Sequence, residues 1–414
     1  MKPIISSLLE PDFYKFTMAQ LVWTLHRDVP VRYGFTNRTA SVPLAEVVPE
    51  ARLREELEHV RSLRFTDEEI AYLRDCPQLP KGLFTEGFLG FLAGLRLPEV
   101  SIEKAGGQFR IETAGPWPEA IWWETMLLNI VNELYYRELM AKDGVASDKE
   151  AADAFWREGS RRLSEKIARL KAMPDARIIE FGNRRRFSGT WQETVLNVLM
   201  DEAPSHLVGT SNVRLAKAYG LKPIGTFAHE LYMVYSGIYR GSDDELRGSH
   251  NRVLRDWSAM YGDALSVALT DTYGSDFFFR DLSPEQARQW KWLRHDSGDP
   301  EAFGEKAVAF YGAQGIDPKE KGIVYSDGLD IEVIERLHRR FNGRIGLLYG
   351  WGTNLTNDVG YKALSLVMKA VESCGLATVK LSDNPAKATG PAELVERFAR
   401  VFGAVEGERV ECTY

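Results

Sequence analysis

The sequence predicts an α/β protein, an irregular (β/α) barrel with an N-terminal α+β sandwich-like domain, and three observations carry that expectation. From Arg177 onward short apolar runs alternate with helical stretches, the pattern of a parallel barrel. Residues before about 140 lack that rhythm and mix helices with a hairpin. Each apolar run also empties into glycine, hydroxyl, carboxylate, histidine or arginine, the composition of loops at the C-terminal face of a barrel.

In order, helical periodicity runs from Asp12 to Leu25, an extended piece from Val31 to Asn37, and charged helices from Leu44 to Ser62 and from Thr66 to Asp75. The Gly106-Gly107 turn joins strands at Val100 to Lys104 and Gln108 to Thr113. Gly115-Pro116-Trp117-Pro118 punctuates before an apolar helix from Ala120 to Leu139, whose stripe of Ile121, Met126, Leu127, Ile130, Val131 and Leu134 reads as core. A charged helix follows from Asp148 to Ala172. The barrel strands are expected at Arg177 to Phe181, His206 to Val208, Pro223 to Phe227, Leu265 to Leu269, Lys291 to Leu293, Gly322 to Tyr325, Ile345 to Tyr349 and Thr378 to Leu381. The expected domains are 1–140, open to completion by C-terminal residues, a catalytic barrel over 141–390, and a C-terminal helix and tail over 391–414.

Composition narrows the class. The 414 residues are 44% hydrophobic and 27% charged, as in a soluble globular protein. No apolar run approaches the roughly 20 residues that span a bilayer. The N-terminus is too soon acidic for a signal peptide, so the default address is the cytoplasm. Cys76, Cys374 and Cys412 are far apart and suggest neither disulfides nor zinc. A formal charge of -7 argues against general nucleic-acid binding while leaving room for a local basic pocket.

That pocket is expected at Arg184-Arg185-Arg186, where a strand ends; Glu180 is placed to pair with one of these arginines, and at least one other should point at a phosphate or carboxylate. Three adjacent charges are otherwise a solvated face. Gly350-Trp351-Gly352-Thr353-Asn354 reads as a phosphate cradle or as a tight βα turn. His229, in Gly225-Thr226-Phe227-Ala228-His229-Glu230, sits where a strand passes into a helix, beside N–H groups that attract anions; a helix cap is the plain alternative. Asp271, Asp296, Asp299, Asp327 and Asp383 suit ribose hydroxyls or a Mg2+ carried by a polyphosphate, with Asp327 and Asp383 the stronger candidates for helix N-caps. Together these groups suggest a phosphorylated sugar and its metal.

The chain resembles the nicotinate phosphoribosyltransferases, type II phosphoribosyltransferases, over nearly its whole length. The resemblance rests on Asp12-Phe13-Tyr14-Lys15-Phe16-Thr17-Met18, Phe181-Gly182-Asn183-Arg184-Arg185-Arg186, Gly209-Thr210-Ser211-Asn212, Gly225 to Glu230, Arg294-His295-Asp296-Ser297-Gly298-Asp299 and Gly350 to Asn354. It implies displacement of pyrophosphate from C1 of phosphoribosyl pyrophosphate by the pyridine nitrogen of nicotinate, giving nicotinate mononucleotide for NAD salvage, coupled to ATP hydrolysis in the presence of Mg2+. By the same resemblance His229 is transiently phosphorylated, Tyr14 stacks on the pyridine ring, and Thr226 and Arg294 hold nicotinate together with Arg184. Gly350, Gly352, Thr353, Asn354 and Arg185 bind phosphate, and Asp271 and Asp296 serve the ribose or the Mg-pyrophosphate. His229, Asp296 and Arg294 are the expected catalytic set. Nicotinamide-using relatives carry an aspartate where this chain has Ser211, so Ser211 favours the acid. Trp351 is bulkier than the phosphate loop leads one to expect. A homodimer, with Tyr14 acting in trans, is compatible with the family.

The alternatives are a nicotinamide-specific transferase, a non-catalytic metabolite-binding relative, and a sugar-phosphate aldolase or isomerase. The last wants a lysine at a strand end, and Lys380 stands outside the motifs above.

Overall fold

The computed structural model of the chain describes residues 2–403, which form a mixed α/β structure with two separate sheets. The first helix, α1 (Phe13–Leu25), is buried on every face through Val22. A helix apolar all round belongs in a core. It packs on the short helix Trp117–Ala120, which follows an antiparallel sheet built from β1 (Pro30–Asn37) and the hairpin β2 (Val100–Ala105) and β3 (Gln108–Pro116), turned by Gly106 and Gly107, both at positive φ. That hairpin matches its sequence signal, since a two-residue turn of this kind needs left-handed backbone at both positions.

The rest of this sheet comes from far along the chain. β10 (Leu366–Ser373) pairs antiparallel with β1 on the side away from β3, and β11 (Leu376–Ala377) adds an edge. The N-terminal unit is thus completed by residues beyond the parallel sheet. The helix expected from Leu44 to Ser62 breaks into Leu44–Val47 and Glu50–Ser62. Pro49 causes the break, because it supplies no N–H and excludes helical backbone from the residue before it. The apolar helix expected from Ala120 to Leu139 is preceded by a short turn, Trp117–Ala120, and runs as α2 (Trp123–Lys142).

Six of the expected barrel strands form one parallel sheet. They are β4 (Ile178–Glu180), β5 (Leu207–Thr210), β6 (Val267–Leu269), β7 (Trp292–His295), β8 (Gly322–Tyr325) and β9 (Gly346–Trp351), in the order β5-β4-β9-β8-β7-β6. The remaining two depart from expectation. Residues 223–227 reach β5 by a single bridge, Thr210 to Pro223, because proline cannot continue a ladder. Residues 378–381 make an antiparallel bridge, Lys380 to Thr389, instead of a parallel strand. Among the described residues the sheet therefore does not close into a barrel. No helix of the described residues is long and apolar enough to cross a membrane. The C-terminal helix is Ala392–Phe402, and the tail expected beyond it, with Cys412, lies outside the described residues.

A buried charge ties three helices to the antiparallel sheet. Lys15 Nζ on α1 lies 2.6 Å from Glu124 of α2 and 2.6 Å from Glu230 of α3 (His229–Ile238), with its side chain wholly inaccessible. Glu230 also accepts from Tyr33 Oη at 2.6 Å and Trp117 Nε1 at 2.8 Å. Burial opposes the charge on Lys15, but the two carboxylates overcome it and raise its pKa. Replacing Lys15 by methionine leaves two buried carboxylates short of their cation. We expect the Lys15→Met variant to lose about 3–5 kcal/mol of stability in urea unfolding; an unchanged midpoint and slope would show that the two carboxylates find compensation elsewhere.

Candidate active site

His229 opens α3, and its ring is held on both nitrogens. Nδ1 lies 2.8 Å from Thr272 Oγ1, while Nε2 lies 2.9 Å from Asp296 Oδ2 and 3.0 Å from Lys380 Nζ. A hydroxyl both donates and accepts, so Thr272 suits either tautomer. With the proton on Nδ1, the Nε2 lone pair faces an ammonium; with the proton on Nε2, it faces a carboxylate. Burial first, and the Lys380 charge second, lower the imidazole pKa to about 4. At neutral pH the ring is uncharged and keeps a lone pair.

Around it lie the charges of the strand ends. Asp296 follows β7, and its Oδ1 accepts from Arg294 Nη2 at 2.9 Å and from Ser326 Oγ at 2.9 Å. Burial opposes ionisation of Asp296, but Arg294 and then His229 hold its carboxyl well below the usual carboxylate range. Asp271 is buried, takes a hydrogen bond from Ser297 Oγ, and lies 3.6 Å from Lys380 Nζ. Its Oδ1 has no hydrogen-bond partner. His229, Asp271 and Asp296 bring one ligand atom each within 4.8 Å of one another. Hard oxygens with an unsatisfied buried lone pair fit Mg2+, which is commonly held by one or two carboxylates plus phosphate.

Two joined chambers share this region. The larger is walled by Arg184, Arg185, Arg294, the Ser326-Asp327-Gly328 loop and Gly352-Thr353-Asn354, with Arg38, Lys369, Lys380 and Lys387 opposite. The smaller is a mainly apolar slot lined by Tyr14, Phe181, Ile179, Val267, Val324 and Leu348, together with Asp12, Ser211, Gly225 and Thr226. Phe181, Arg184 and Arg294 line both. The passage between the chambers thus runs past two guanidinium groups.

The expected residues mostly converge here. Arg184 reaches both chambers and pairs with Glu124 at 3.2 Å, and Arg185 lines the larger. Arg186 turns inward, and its buried partner is Glu10 rather than Glu180. Glu180 instead accepts from the Gly182 N–H, Gln192 and Thr210, and its hydrogen bonds go to these groups rather than to a guanidinium. Tyr14 enters the slot of its own chain, so no second subunit is needed to bring it there; a Cβ on Gly225 would stand 2.8 Å from the Tyr14 nitrogen. Gly350 lies beneath the Phe181 ring, where a Cβ would clash, and does not line the larger chamber. Trp351 is fully buried and leaves the phosphate loop unobstructed. Asp299, not Asp327, is an N-cap, accepting from Ala302 N at 2.8 Å, whereas Asp327 pairs with Lys387 at 2.5 Å. Asp383 serves a helix start from outside, taking the Ser275 N–H at 2.7 Å.

Sequence reasoning missed the basic wall. Arg38 directly follows β1 and Lys369 lies on β10, so both reach the chamber from the antiparallel sheet. Lys380 belongs to the site despite standing outside every motif. Phe181 was visible in its motif, but only the fold brings it into one slot with Tyr14.

Family models and solved structures match the chain over most of its length. The family model described as the nicotinate phosphoribosyltransferase (NAPRTase) family matches residues 176–406, and that of its N-terminal domain matches residues 9–132. A crystal structure of nicotinate phosphoribosyltransferase from Vibrio cholerae is 32% identical, with 98% of this chain and 95% of that chain covered and a TM-score of 0.84. The corresponding structure from Porphyromonas gingivalis is 32% identical over 97% of this chain and 100% of that chain, with a TM-score of 0.83.

The depressed pKa of His229 has two measurable consequences. The unfolded chain has the ordinary value of 6.5 and binds a proton that the native ring refuses, so this group costs stability as the pH falls from about 6.5 towards about 4. In NMR spectra of ring-labelled histidines, the His229 signals are expected to stay flat between about pH 5.5 and 8; a midpoint near the ordinary value would contradict the burial argument.

Proposed function

The chain belongs to the nicotinate phosphoribosyltransferase family, and from that premise we propose how its two chambers divide the reaction. The enzyme joins nicotinate to the phosphoribosyl group of phosphoribosyl pyrophosphate, giving nicotinate mononucleotide and pyrophosphate for NAD salvage. One observation carries the division: an aromatic slot opens, past Arg184 and Arg294, into a chamber lined with anion-binding groups. The pyridine ring takes the slot between Tyr14 and Phe181. The phosphoribosyl group takes the larger chamber, with its 5'-phosphate on Gly352, Thr353 and Asn354.

The pyridine nitrogen attacks C1 of the ribose as the bond from C1 to the pyrophosphate oxygen breaks, and the electron pair leaves with pyrophosphate. That nitrogen carries no proton, so no general base is required. Catalysis then rests on alignment and charge. Arg38, Lys369, Lys380 and Lys387 offset the charge growing on the leaving group, and the carboxylates of Asp271 and Asp296 face the positive charge growing on the ribose. Burial, with Lys380 and Arg38 next, lowers the Lys369 pKa well below its ordinary value, so an incoming polyanion also restores its full charge. Mg2+ bound by Asp271 and Asp296 together with pyrophosphate would supply further charge neutralisation.

ATP is the second substrate, and His229 is its phosphoryl acceptor. The neutral ring offers a lone pair, and the bond from the γ-phosphorus to the bridging oxygen breaks with ADP as leaving group. The phosphoryl group would sit beside Lys380 and compete with Asp296 for Arg294, which ties the charge state of His229 to the shape of the ribose chamber.

Incubation with Mg2+, phosphoribosyl pyrophosphate, and either nicotinate or nicotinamide, with and without ATP, tests this reading. Nicotinate is expected to yield mononucleotide with ATP-stimulated turnover and matching ADP, and His229→Ala to keep only weak, ATP-independent transfer. Stimulation by ATP that survives in His229→Ala would remove the histidine from this role.

A further inference from the structure

The slot contains a carboxylate that a substrate acid should not tolerate. Asp12 is buried at its edge, and Asp12 Oδ1 lies 2.6 Å from Ser211 Oγ. Asp12 occupies the N-cap of α1, the position where a carboxylate ordinarily accepts a helix N–H, yet its side chain makes no capping bond. It is aimed at Ser211 instead. The pair is fixed on both sides, by the Phe13 N–H bonded to Ser211 O at 2.7 Å and by the bridge between Asp12 and Asn212.

The slot has a direction. Phe181, Arg184 and Arg294 are shared with the ribose chamber, so the ring nitrogen points towards them. The ring carboxylate, meta to that nitrogen, lies in the same slot among Arg184, Arg294 and the polar residues Asp12, Ser211 and Thr226. Against an ionised Asp12, the Ser211 hydroxyl must donate to it, and both residues then present only acceptor oxygens. An amide would fit that arrangement, and a carboxylate would be repelled. With one proton on Asp12 the polarity reverses: Asp12 donates to Ser211 Oγ, and the Ser211 hydroxyl is free to donate to the substrate.

We propose that Asp12 and Ser211 form a proton-dependent donor pair, and that nicotinate binds with uptake of one proton from solvent onto Asp12. No other bond is made or broken. The proposal rests on the assignment of the slot to nicotinate. The charged and titratable groups around Asp12 are Arg184 on the loop after β4, Glu124 on α2, Glu180 at the end of β4, Tyr14 on its own helix, and Arg294 across the slot. Burial dominates and Glu124 adds to it, while Arg184 and hydrogen bonds from the Ser211 and Asn183 side chains oppose; the net effect raises the Asp12 carboxyl. A raised carboxyl is readily protonated when a second carboxylate arrives beside it.

Calorimetric titration of nicotinate at pH 8, in buffers of different ionisation enthalpy, reads the proton directly. The wild-type chain is expected to take up about one proton per nicotinate, and its Kd to rise about tenfold per pH unit above the pKa of Asp12. Asp12→Asn supplies a permanent donor of the same shape, so it should bind nicotinate with no proton uptake and a flat pH profile. Ser211→Ala should bind more weakly at low pH, having lost the group that reaches the substrate. Absence of proton uptake by the wild-type chain, or uptake that persists unchanged in Asp12→Asn, overturns the proposal. If Tyr14→Ala also leaves nicotinate affinity untouched, the slot is not the nicotinate site, and the assignment fails together with the donor pair.

Discussion

The ammonium of Lys15 is the constraint on which the rest of the site depends. It lies without solvent contact between Glu124 and Glu230, and Glu124 shares its second oxygen with Arg184. The order Arg184, Glu124, Lys15, Glu230 alternates in sign across three helices and a loop. Glu230 is adjacent in sequence to His229, and Lys15 to Tyr14. A single buried chain of charges therefore sets the distance between the aromatic slot and the histidine. Taking such charges out of water is costly, and apolar residues of equal volume would often be as stable. What apolar residues would not supply is direction: each carboxylate here has its partners fixed, so α1, α2 and α3 meet in one register.

A second buried network positions the arginine loop. Glu10 meets Arg186 and, at 2.5 Å, Arg214, while Asn212 Nδ2 donates to Asn183 Oδ1 at 3.0 Å. Burial opposes ionisation of Glu10, but the two guanidinium groups hold its pKa below the ordinary value. Turning Arg186 inward is what leaves Arg184 and Arg185 to face the chambers. Gly182 belongs to the same device, because a Cβ there would stand 2.0 Å from Thr356 Oγ1. The close approach of these two loops brings the arginines and the phosphate loop to one wall.

Much of this was legible in the sequence, and the reasons for the gaps are physical. Apolar runs ending in Arg294, Asp296 or Gly352 announce themselves, because a strand end followed by polar residues is a local pattern. The hairpin at Gly106-Gly107 is local as well. Lys369 and Arg38 are not, since one lies on a strand with ordinary alternation and the other just beyond β1, and only the pairing of β10 with β1 brings them to the chamber. Lys380 gave a misleading signal: it was weighed as the lysine of a different chemistry, and the antiparallel bridge at Thr389 is what turns this segment towards His229. Glu180 illustrates the opposite error. Its closeness in sequence to three arginines suggested a pair, but the folded loop gives its oxygens to Gly182, Gln192 and Thr210.

The proposed division of the reaction places ring and phosphoribosyl group in adjoining chambers that meet at Phe181, Arg184 and Arg294. A crystal structure of the chain with nicotinate mononucleotide tests it most directly. The account requires the pyridine ring between Tyr14 and Phe181, with its carboxylate beside Ser211 and the 5'-phosphate on Gly352, Thr353 and Asn354. A ring bound outside that slot, or a phosphate held by other residues, would contradict the division of labour argued here.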